Sequence, residues 1–102
     1  MKDHRVYAPS EELAVEDELF RAILLLDNLN DCRAFFQDLC TPAELQAMKD
    51  RWAVAELLTA GLTYRQIRDR TGVSVTTVGR VARCLSETPA GYAAVLTKMG
   101  KL

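Results

Sequence analysis

The 102 residues carry a net charge of −1, 49% of them are hydrophobic, and only five are glycine and three proline. A chain of this size is expected to fold as one domain with its own core, which a second subunit would help to stabilise. The longest apolar run, residues 22–26, is far too short for a membrane span, and residues 1–13 lack the hydrophobic stretch of a secretory signal. Strand-like alternation is absent over any useful length. We therefore expect a cytoplasmic all-α protein with no membrane partner.

Residue types that carry catalysis or bind metals are sparse. Cys32, Cys40 and Cys84 are scattered and odd in number, and the single histidine, His4, lies near the N-terminus. The sequence has no CxxC or HxxxH spacing and no glycine-rich phosphate loop. We expect no metal site, no cofactor and no enzymatic activity, with the cysteines buried as small hydrophobic residues.

Two helices are predicted in the first part of the chain. Residues 1–9 are interpreted as a flexible arm, followed by a single helical domain at residues 10–102. Ser10 is placed to cap a first helix that runs to about Leu29, and residues 28–31 make a turn and cap before a short second helix. The first helix carries apolar residues on more than one face: Leu13, Leu19, Phe20, Ile23, Leu24 and Leu26. Such a helix is buried on two sides, either against a second subunit or inside a monomer.

A third helix has a strong start signal. Thr41 can cap it, Pro42 suits its first position, and Glu44 completes a capping box; Gly61 marks its end. Its predicted buried face consists of Leu45, Met48, Trp52, Ala55 and Leu58. Trp52 is expected in the core or in an interface rather than in a ligand site. A last helix is predicted to begin at Thr88–Pro89, with one apolar face made of Tyr92, Val95, Leu96 and Met99.

Between these helices lie two shorter ones joined by a tight turn. Thr63 can cap the first of them, with Gln66 completing a capping box. Gly72 closes that helix in the left-handed conformation, and Ser74 caps the next. Apolar residues fall where two such helices touch: Ile67, Val73, Val78 and Val81. This spacing predicts a helix-turn-helix at about residues 63–86, whose second helix commonly enters the DNA major groove.

The predicted motif is basic although the chain as a whole is mildly acidic. Residues 62–85 hold five arginines against one acid, Asp69, for a local charge of +4: Arg65, Arg68, Arg70, Arg80 and Arg83. Residues 1–61 hold six basic and twelve acidic side chains, for a charge of −6. Combined with the motif, this asymmetry points to DNA, although arginine-rich helices can also be simple solvated faces.

From Cys40 onward, the order of these signals resembles the tryptophan repressor family, and more closely its TrpR-like relatives of the YerC/YecD type. The resemblance covers about residues 40–86 and rests on the phrases TPAELQAMKDRW, AELLTAGLTYRQI and TGVSVTTVGRVARCL. Arg68 adds to it, because tryptophan repressors also carry a basic residue where other helix-turn-helix proteins usually have alanine. The resemblance implies about six helices in an intertwined homodimer whose first helices cross, in agreement with the doubly apolar first helix.

The resemblance also implies a surface for double-stranded DNA. Arg65 and Arg68 would contact phosphates or a guanine edge, since a guanidinium can donate two parallel hydrogen bonds. Tyr64 would stack or contact a phosphate. The start of the recognition helix carries the remaining predicted contacts, namely Val75, Thr76, Thr77 and Gly79, whose small size lets the helix end approach the groove.

Residues that match the repressor's tryptophan pocket form a candidate effector site: Thr41, Arg51, Arg80, Val81 and Cys84. The two arginines would hold an amino-acid carboxylate, or they pair with acids such as Asp50 or Glu56. Val81 stands where the repressor has glycine, and overpacking of that kind typically costs about 1–3 kcal/mol. We therefore expect that tryptophan is not the corepressor and that any small-molecule effector is a different compound.

The sequence thus predicts a dimeric, sequence-specific regulator of transcription, with repression by promoter occlusion as the mechanism and activation equally compatible with the residues. The alternative is a dimeric helical module that keeps the fold and uses its basic face to bind an acidic protein. RNA is disfavoured, because A-form RNA hides its major groove from a helix and the chain lacks an exposed aromatic platform for single strands.

Overall fold

The computed structural model describes residues 6–102, which form six α-helices and no strand. The helices are α1 (Pro9–Leu24), α2 (Leu29–Leu39), α3 (Pro42–Thr59), α4 (Tyr64–Thr71), α5 (Val75–Ser86) and α6 (Gly91–Lys98). They divide into two compact units, of which the first ends at Cys40 and the second is Thr41–Leu102. The predicted all-α class is confirmed. Residues 1–5 of the predicted flexible arm lie outside the described residues. None of the six helices is long and apolar enough to cross a membrane.

The start of α1 differs from the prediction. The helix begins at Pro9 rather than after Ser10, because the fixed φ and missing N–H of proline suit the first helical position. Ala8 precedes it with an extended backbone, and the Ala8 amide donates a hydrogen bond to Glu11 Oε1 at 3.2 Å. Ser10 therefore lies inside the helix, where its hydroxyl is not the cap.

The end of α1 also differs, since the helix stops at Leu24 and not near Leu29. The Leu25 amide donates to the carbonyl three residues earlier at 3.1 Å, and this tighter turn closes the helix. Leu29 instead begins α2, because Asn28 Oδ1 accepts the amide of Asp31 at 2.8 Å and caps the new helix. The cap predicted at residues 28–31 is confirmed.

Both helices of the first unit display large apolar side chains at their surface. No residue of α1 or α2 is buried. Leu24 and Leu25 are each 82% exposed, and Leu29 is 78% exposed. The widely apolar first helix that the sequence predicts is therefore present, but the described chain does not bury it on two sides.

The second unit begins with the predicted capping box. Thr41 Oγ1 accepts the amide of Glu44 at 3.1 Å, and Glu44 Oε1 accepts the amide of Thr41 at 2.8 Å. These reciprocal bonds satisfy two amides that the first turn of α3 would otherwise leave unpaired. At the other end, Gly61 takes a φ of 93° and turns the chain away from α3. The start and the stop predicted for this helix are confirmed.

The core of the second unit joins α3 to the two helices that follow it. Its buried members are Val54, Ala55, Ile67, Val73, Val78 and Val81. The face predicted for α3 is wrong in part: Met48 is 38% exposed, while Val54, which that face omits, is fully buried. The α3 helix contacts two neighbours, α4 and α5, so that its buried surface extends beyond one stripe.

The last helix begins later than predicted. The peptide bond between Thr88 and Pro89 is cis, and Ala90 has a φ of 63°, in the left-handed region. A helix cannot run through a left-handed residue, so α6 starts at Gly91. The predicted apolar face is buried only in part: Leu96 is fully buried, whereas Val95 and Met99 are 48% and 52% exposed. After the end of α6, Lys101 forms an ion pair with Glu56 of α3.

Candidate nucleic-acid interface

The helix-turn-helix predicted from the sequence is present as α4 and α5. Thr63 Oγ1 accepts the amide of Gln66 at 3.2 Å, and Gln66 Oε1 accepts the amide of Thr63 at 2.8 Å, which closes the capping box of α4. Gly72 ends this helix with a φ of 76°, and its amide donates to the Arg68 carbonyl at 2.8 Å. The predicted caps at Thr63 and Gly72 are confirmed, and they set the direction in which the chain leaves α4.

Two hydroxyl groups fix the turn between the helices. Ser74 Oγ accepts the amide of Thr77 at 3.2 Å and caps α5, as predicted. The Thr71 hydroxyl donates to the Ile67 carbonyl at 2.7 Å and accepts the Val73 amide at 3.1 Å. Sequence reasoning missed Thr71, although a threonine directly before a helix-ending glycine is a signal that could have found it. Its two bonds tie the last turn of α4 to the start of the turn.

Apolar packing holds the two helices on a common base. Ile67 of α4 and Val78 of α5 are fully buried, and Val73 in the turn and Val81 of α5 are 8% and 1% exposed. They pack with Val54 and Ala55 of α3 in one cluster. Burying each side chain of this size contributes about 1.5–3 kcal/mol. The exposed side of the motif therefore lies on a well-packed apolar core that holds α4 and α5 in place.

Four predicted DNA contacts meet on that exposed side. Tyr64, Arg65 and Arg68 of α4 and Val75 of α5 line one surface depression of about 430 Å³. Gly79 is close to them, because a methyl group at its Cα would stand 3.8 Å from Tyr64 Cε2. Residues of both helices of the motif thus meet at the N-terminal end of α5.

The remaining two predicted contacts, Thr76 and Thr77, lie in the first turn of α5 but differ in exposure. Thr76 is exposed, whereas Thr77 is half-buried. The Thr77 hydroxyl accepts a hydrogen bond from the Ser74 hydroxyl at 3.2 Å. Thr76 therefore presents its side chain to solvent, while Thr77 takes part in the helix cap.

The electrostatics of this surface is set by exposed guanidinium groups. Arg68 forms an ion pair with Asp69 at 3.3 Å, but both side chains are at least half exposed, and such pairs contribute little. Four other arginines of the motif are exposed and form no ion pair with a described residue: Arg65, Arg70, Arg80 and Arg83. Of these arginines, Arg65 lines the depression together with Arg68, and both guanidinium groups are available to an anionic partner.

The five residues of the predicted effector site occupy different surroundings. Thr41 caps α3, Arg51 is half-buried on the same helix, and Arg80 is exposed on α5. Val81 lies in the core, with 1% of its surface exposed. Cys84 follows it on α5 and is exposed. The prediction that Cys84 is buried is therefore wrong, because the core takes Val81 and leaves Cys84 outside.

Cys84 borders a cleft of about 490 Å³ in the second unit, which the sequence did not reveal. Trp52 and Tyr92 also line this cleft, with their rings stacked at a centroid distance of 6.3 Å. Of the five predicted effector residues, the cleft includes Cys84 alone. The other two cysteines, Cys32 and Cys40, are half-buried rather than buried as predicted. Among residues 6–102, no group of three or more His, Cys, Asp and Glu side chains is placed to hold a metal ion.

Comparisons with known proteins point to a single family. The family model described as Trp repressor protein matches residues 15–100. The YerC protein of Bacillus subtilis (strain 168), itself uncharacterized, is 47% identical over 70 residues, which are 69% of this chain and 67% of YerC. A TrpR-like protein from Eubacterium eligens has 38% identity and a TM-score of 0.79 over 84% of this chain and 89% of its own. A candidate Trp repressor from Staphylococcus aureus has 39% identity and a TM-score of 0.82, covering 94% and 98%.

Proposed function

From the premise that this chain belongs to the Trp repressor family, we propose that it is a sequence-specific regulator of transcription that binds double-stranded DNA as a homodimer. The observation that carries the proposal is the meeting of Tyr64, Arg65, Arg68 and Val75 around one depression at the leading end of α5. Guanidinium groups, an aromatic ring and a small apolar side chain are the groups that DNA backbones and base edges engage.

In the proposed complex, α5 enters the major groove with its first turn foremost. Arg65 and Arg68 flank that turn and bind phosphates or the edge of a guanine, while Thr76 offers an exposed hydroxyl to a base. The caps at Thr63 and Ser74 and the buried valines hold both helices in place, so that little ordering remains to be done on binding.

The homodimer accounts for the exposed apolar surface of the first unit. Leu24, Leu25 and Leu29 are about four-fifths exposed, and burying one leucine fully contributes about 1.5–3 kcal/mol. A second copy that covers this surface would bring a second α5, so that the dimer has one recognition helix for each half-site. A regulator of this kind acts in the cytoplasm and represses by occluding a promoter.

Selection of bound duplexes from a random-sequence pool, followed by footprinting, tests the proposal. The expected operator is roughly palindromic, with half-sites about one helical turn, or 10–10.5 base pairs, apart. The double variant Arg65→Ala/Arg68→Ala is the control and should enrich no sequence. A single unrepeated half-site, or a complex whose mass shows one protein chain per operator, would contradict the proposed dimer.

A further inference from the structure

We propose that the depression lined by Tyr64, Arg65, Arg68 and Val75 holds the 5-methyl group of a thymine that lies next to a guanine in each half-site. The inference rests on the proposed function and names the bases that the same surface reads. It follows from three features of the depression: an apolar side chain that is not part of the core, two hydrogen-bond donors, and an aromatic ring.

The apolar side chain is that of Val75, the first residue of α5. The helix has two other valines, Val78 and Val81, which are 0% and 1% exposed and hold it to the core. Val75, by contrast, is 47% exposed and takes no part in that cluster. Its methyl groups are therefore free to pack against an apolar group that approaches from the groove. In the major groove, the C5-methyl group of thymine is the apolar feature that a base pair presents.

The donors are the guanidinium groups of Arg65 and Arg68, which border the same depression. A guanidinium donates hydrogen bonds and cannot accept them. Guanine presents the acceptors N7 and O6 in the major groove, and thymine presents the acceptor O4 beside its methyl group. Cytosine presents an amino donor there, and adenine presents one beside its single acceptor N7, so both match two donors less well than guanine does. The pair therefore favours guanine beside thymine.

The aromatic ring is that of Tyr64, which is 43% exposed. A Cβ at Gly79 would contact this ring at 3.8 Å, so the ring lies over the α5 backbone at a position without a side chain. A thymine methyl group enclosed between this ring and Val75 would be shielded from water on both sides. Removing one methyl group from such a place costs binding free energy that corresponds to about a fourfold change in affinity.

The test replaces each thymine of the selected operator in turn by deoxyuridine, which differs only in lacking the 5-methyl group. We expect one thymine in each half-site, adjacent to a guanine, whose replacement weakens binding about fourfold. Replacing both of these symmetry-related thymines should weaken binding about fifteenfold. In Val75→Ala, the same replacement should weaken binding less than about twofold, as fluorescence anisotropy would measure. Val95→Ala is the matched control, because Val95 is 48% exposed on α6, and it should keep the full effect.

Three results would overturn the inference. If no deoxyuridine replacement changes the affinity although the protein still binds the selected operator, the inference is wrong and the proposed function stands. An effect that persists unchanged in Val75→Ala would place the methyl group elsewhere. Failure of the wild-type protein to bind any duplex would remove the inference together with the proposed function.

Discussion

The Ser74 hydroxyl forms hydrogen bonds with both the hydroxyl and the backbone amide of Thr77. Ser74 Oγ accepts the Thr77 amide and donates to Thr77 Oγ1, each over 3.2 Å. The Thr77 hydroxyl is thus part of the cap that fixes the first turn of α5, whereas the neighbouring Thr76 is exposed. Two adjacent threonines therefore have different surroundings, and we infer that Thr77 positions the recognition helix while Thr76 faces the base pairs.

Replacing each threonine by valine separates these roles. Thr77→Val removes the acceptor of the Ser74 hydroxyl, so the free energy of unfolding should fall by about 0.5–1 kcal/mol with base preference unchanged. Thr76→Val should leave stability within about 0.5 kcal/mol of the wild type and shift base preference. Urea unfolding and operator selection on both variants measure this. A shift in base preference in Thr77→Val equal to that in Thr76→Val would contradict the division.

A methyl group at Gly79 should raise stability and lower DNA affinity. Gly79 lies inside α5 without a left-handed backbone, and the nearest atom to an added Cβ, on Tyr64, is at an ordinary contact distance of 3.8 Å. Gly79→Ala should therefore stabilise the fold by about 0.5–1 kcal/mol, since glycine costs a helix more backbone entropy than alanine. The added group would fill the space beside the Tyr64 ring, which lines the proposed DNA surface, and should therefore weaken the fit of the duplex. Chemical unfolding and anisotropy on the same variant test both parts.

Gly72→Ala is the control for this substitution. Gly72 has a φ of 76°, and no atom lies within 4 Å of an added Cβ, so that only the backbone conformation opposes the change. It should lower the free energy of unfolding by about 1–2 kcal/mol. If Gly79→Ala instead destabilises the protein, or binds DNA as tightly as the wild type, the placement of Gly79 at the interface is wrong.

The parts of the fold that could be predicted are those written in short sequence signals. The caps at Asn28, Thr41, Thr63 and Ser74, and the left-handed Gly72, each depend on residues within one turn of one another. Hydrogen bonds of this range form wherever the local sequence permits them. For this reason the helix-turn-helix, which contains two of these caps and Gly72, can be located closely from the sequence.

The parts that could not be predicted depend on contacts distant in the sequence or on competing local signals. Val54 is buried because α3 meets two helices, which no single stripe on α3 reveals. Cys84 is exposed because the core takes Val81 from the same helix and leaves Cys84 at the edge of a cleft. At the start of α1, Ser10 offers a cap that would begin the helix at Glu11, but Pro9 fixes the first helical position two residues earlier.

L-Tryptophan should not bind at sub-millimolar concentration. Val81 is 1% exposed and packs in the core, and by resemblance it stands where the repressor needs the space of a glycine. Titration calorimetry on the wild-type protein should therefore show no saturable heat below about 1 millimolar, the range in which binding of about −4 kcal/mol saturates. Val81→Ala, which removes the branched methyl groups, is the matched variant. Saturable binding to the wild type would contradict the prediction.

The capping box of α3 should make stability depend on pH in the acid range. Hydrogen bonds from the Thr41 backbone amide, and then from the Thr41 side chain, lower the pKa of Glu44 from its ordinary value of 4.5. The unfolded chain therefore binds this proton more readily than the folded chain. The resulting stabilisation is fully present above pH 4.5 and is lost as the pH falls through the lowered pKa of the folded state.

Glu44→Gln is the matched control for this effect, because its amide oxygen can still accept the Thr41 N–H but does not titrate. Urea unfolding of both proteins at several pH values should show the wild type losing stability relative to Glu44→Gln as the pH falls below 4.5. A difference between the two proteins that stays constant across this range would show that the Glu44 carboxylate does not contribute in this way.

Fluorescence anisotropy on a mixed-sequence DNA duplex, titrated with salt, measures DNA binding before any operator is known, because binding to phosphates needs no particular base sequence. We predict that the affinity falls steeply with salt. In Arg65→Ala/Arg68→Ala, the slope of log affinity against log salt concentration should be smaller in magnitude by about 1.8, since each phosphate that is no longer neutralised contributes about 0.9. Arg33→Ala, which removes one positive charge from α2, should keep the wild-type slope. Absence of binding at low salt, or a slope that the double variant leaves unchanged, would contradict the claim that this surface binds DNA.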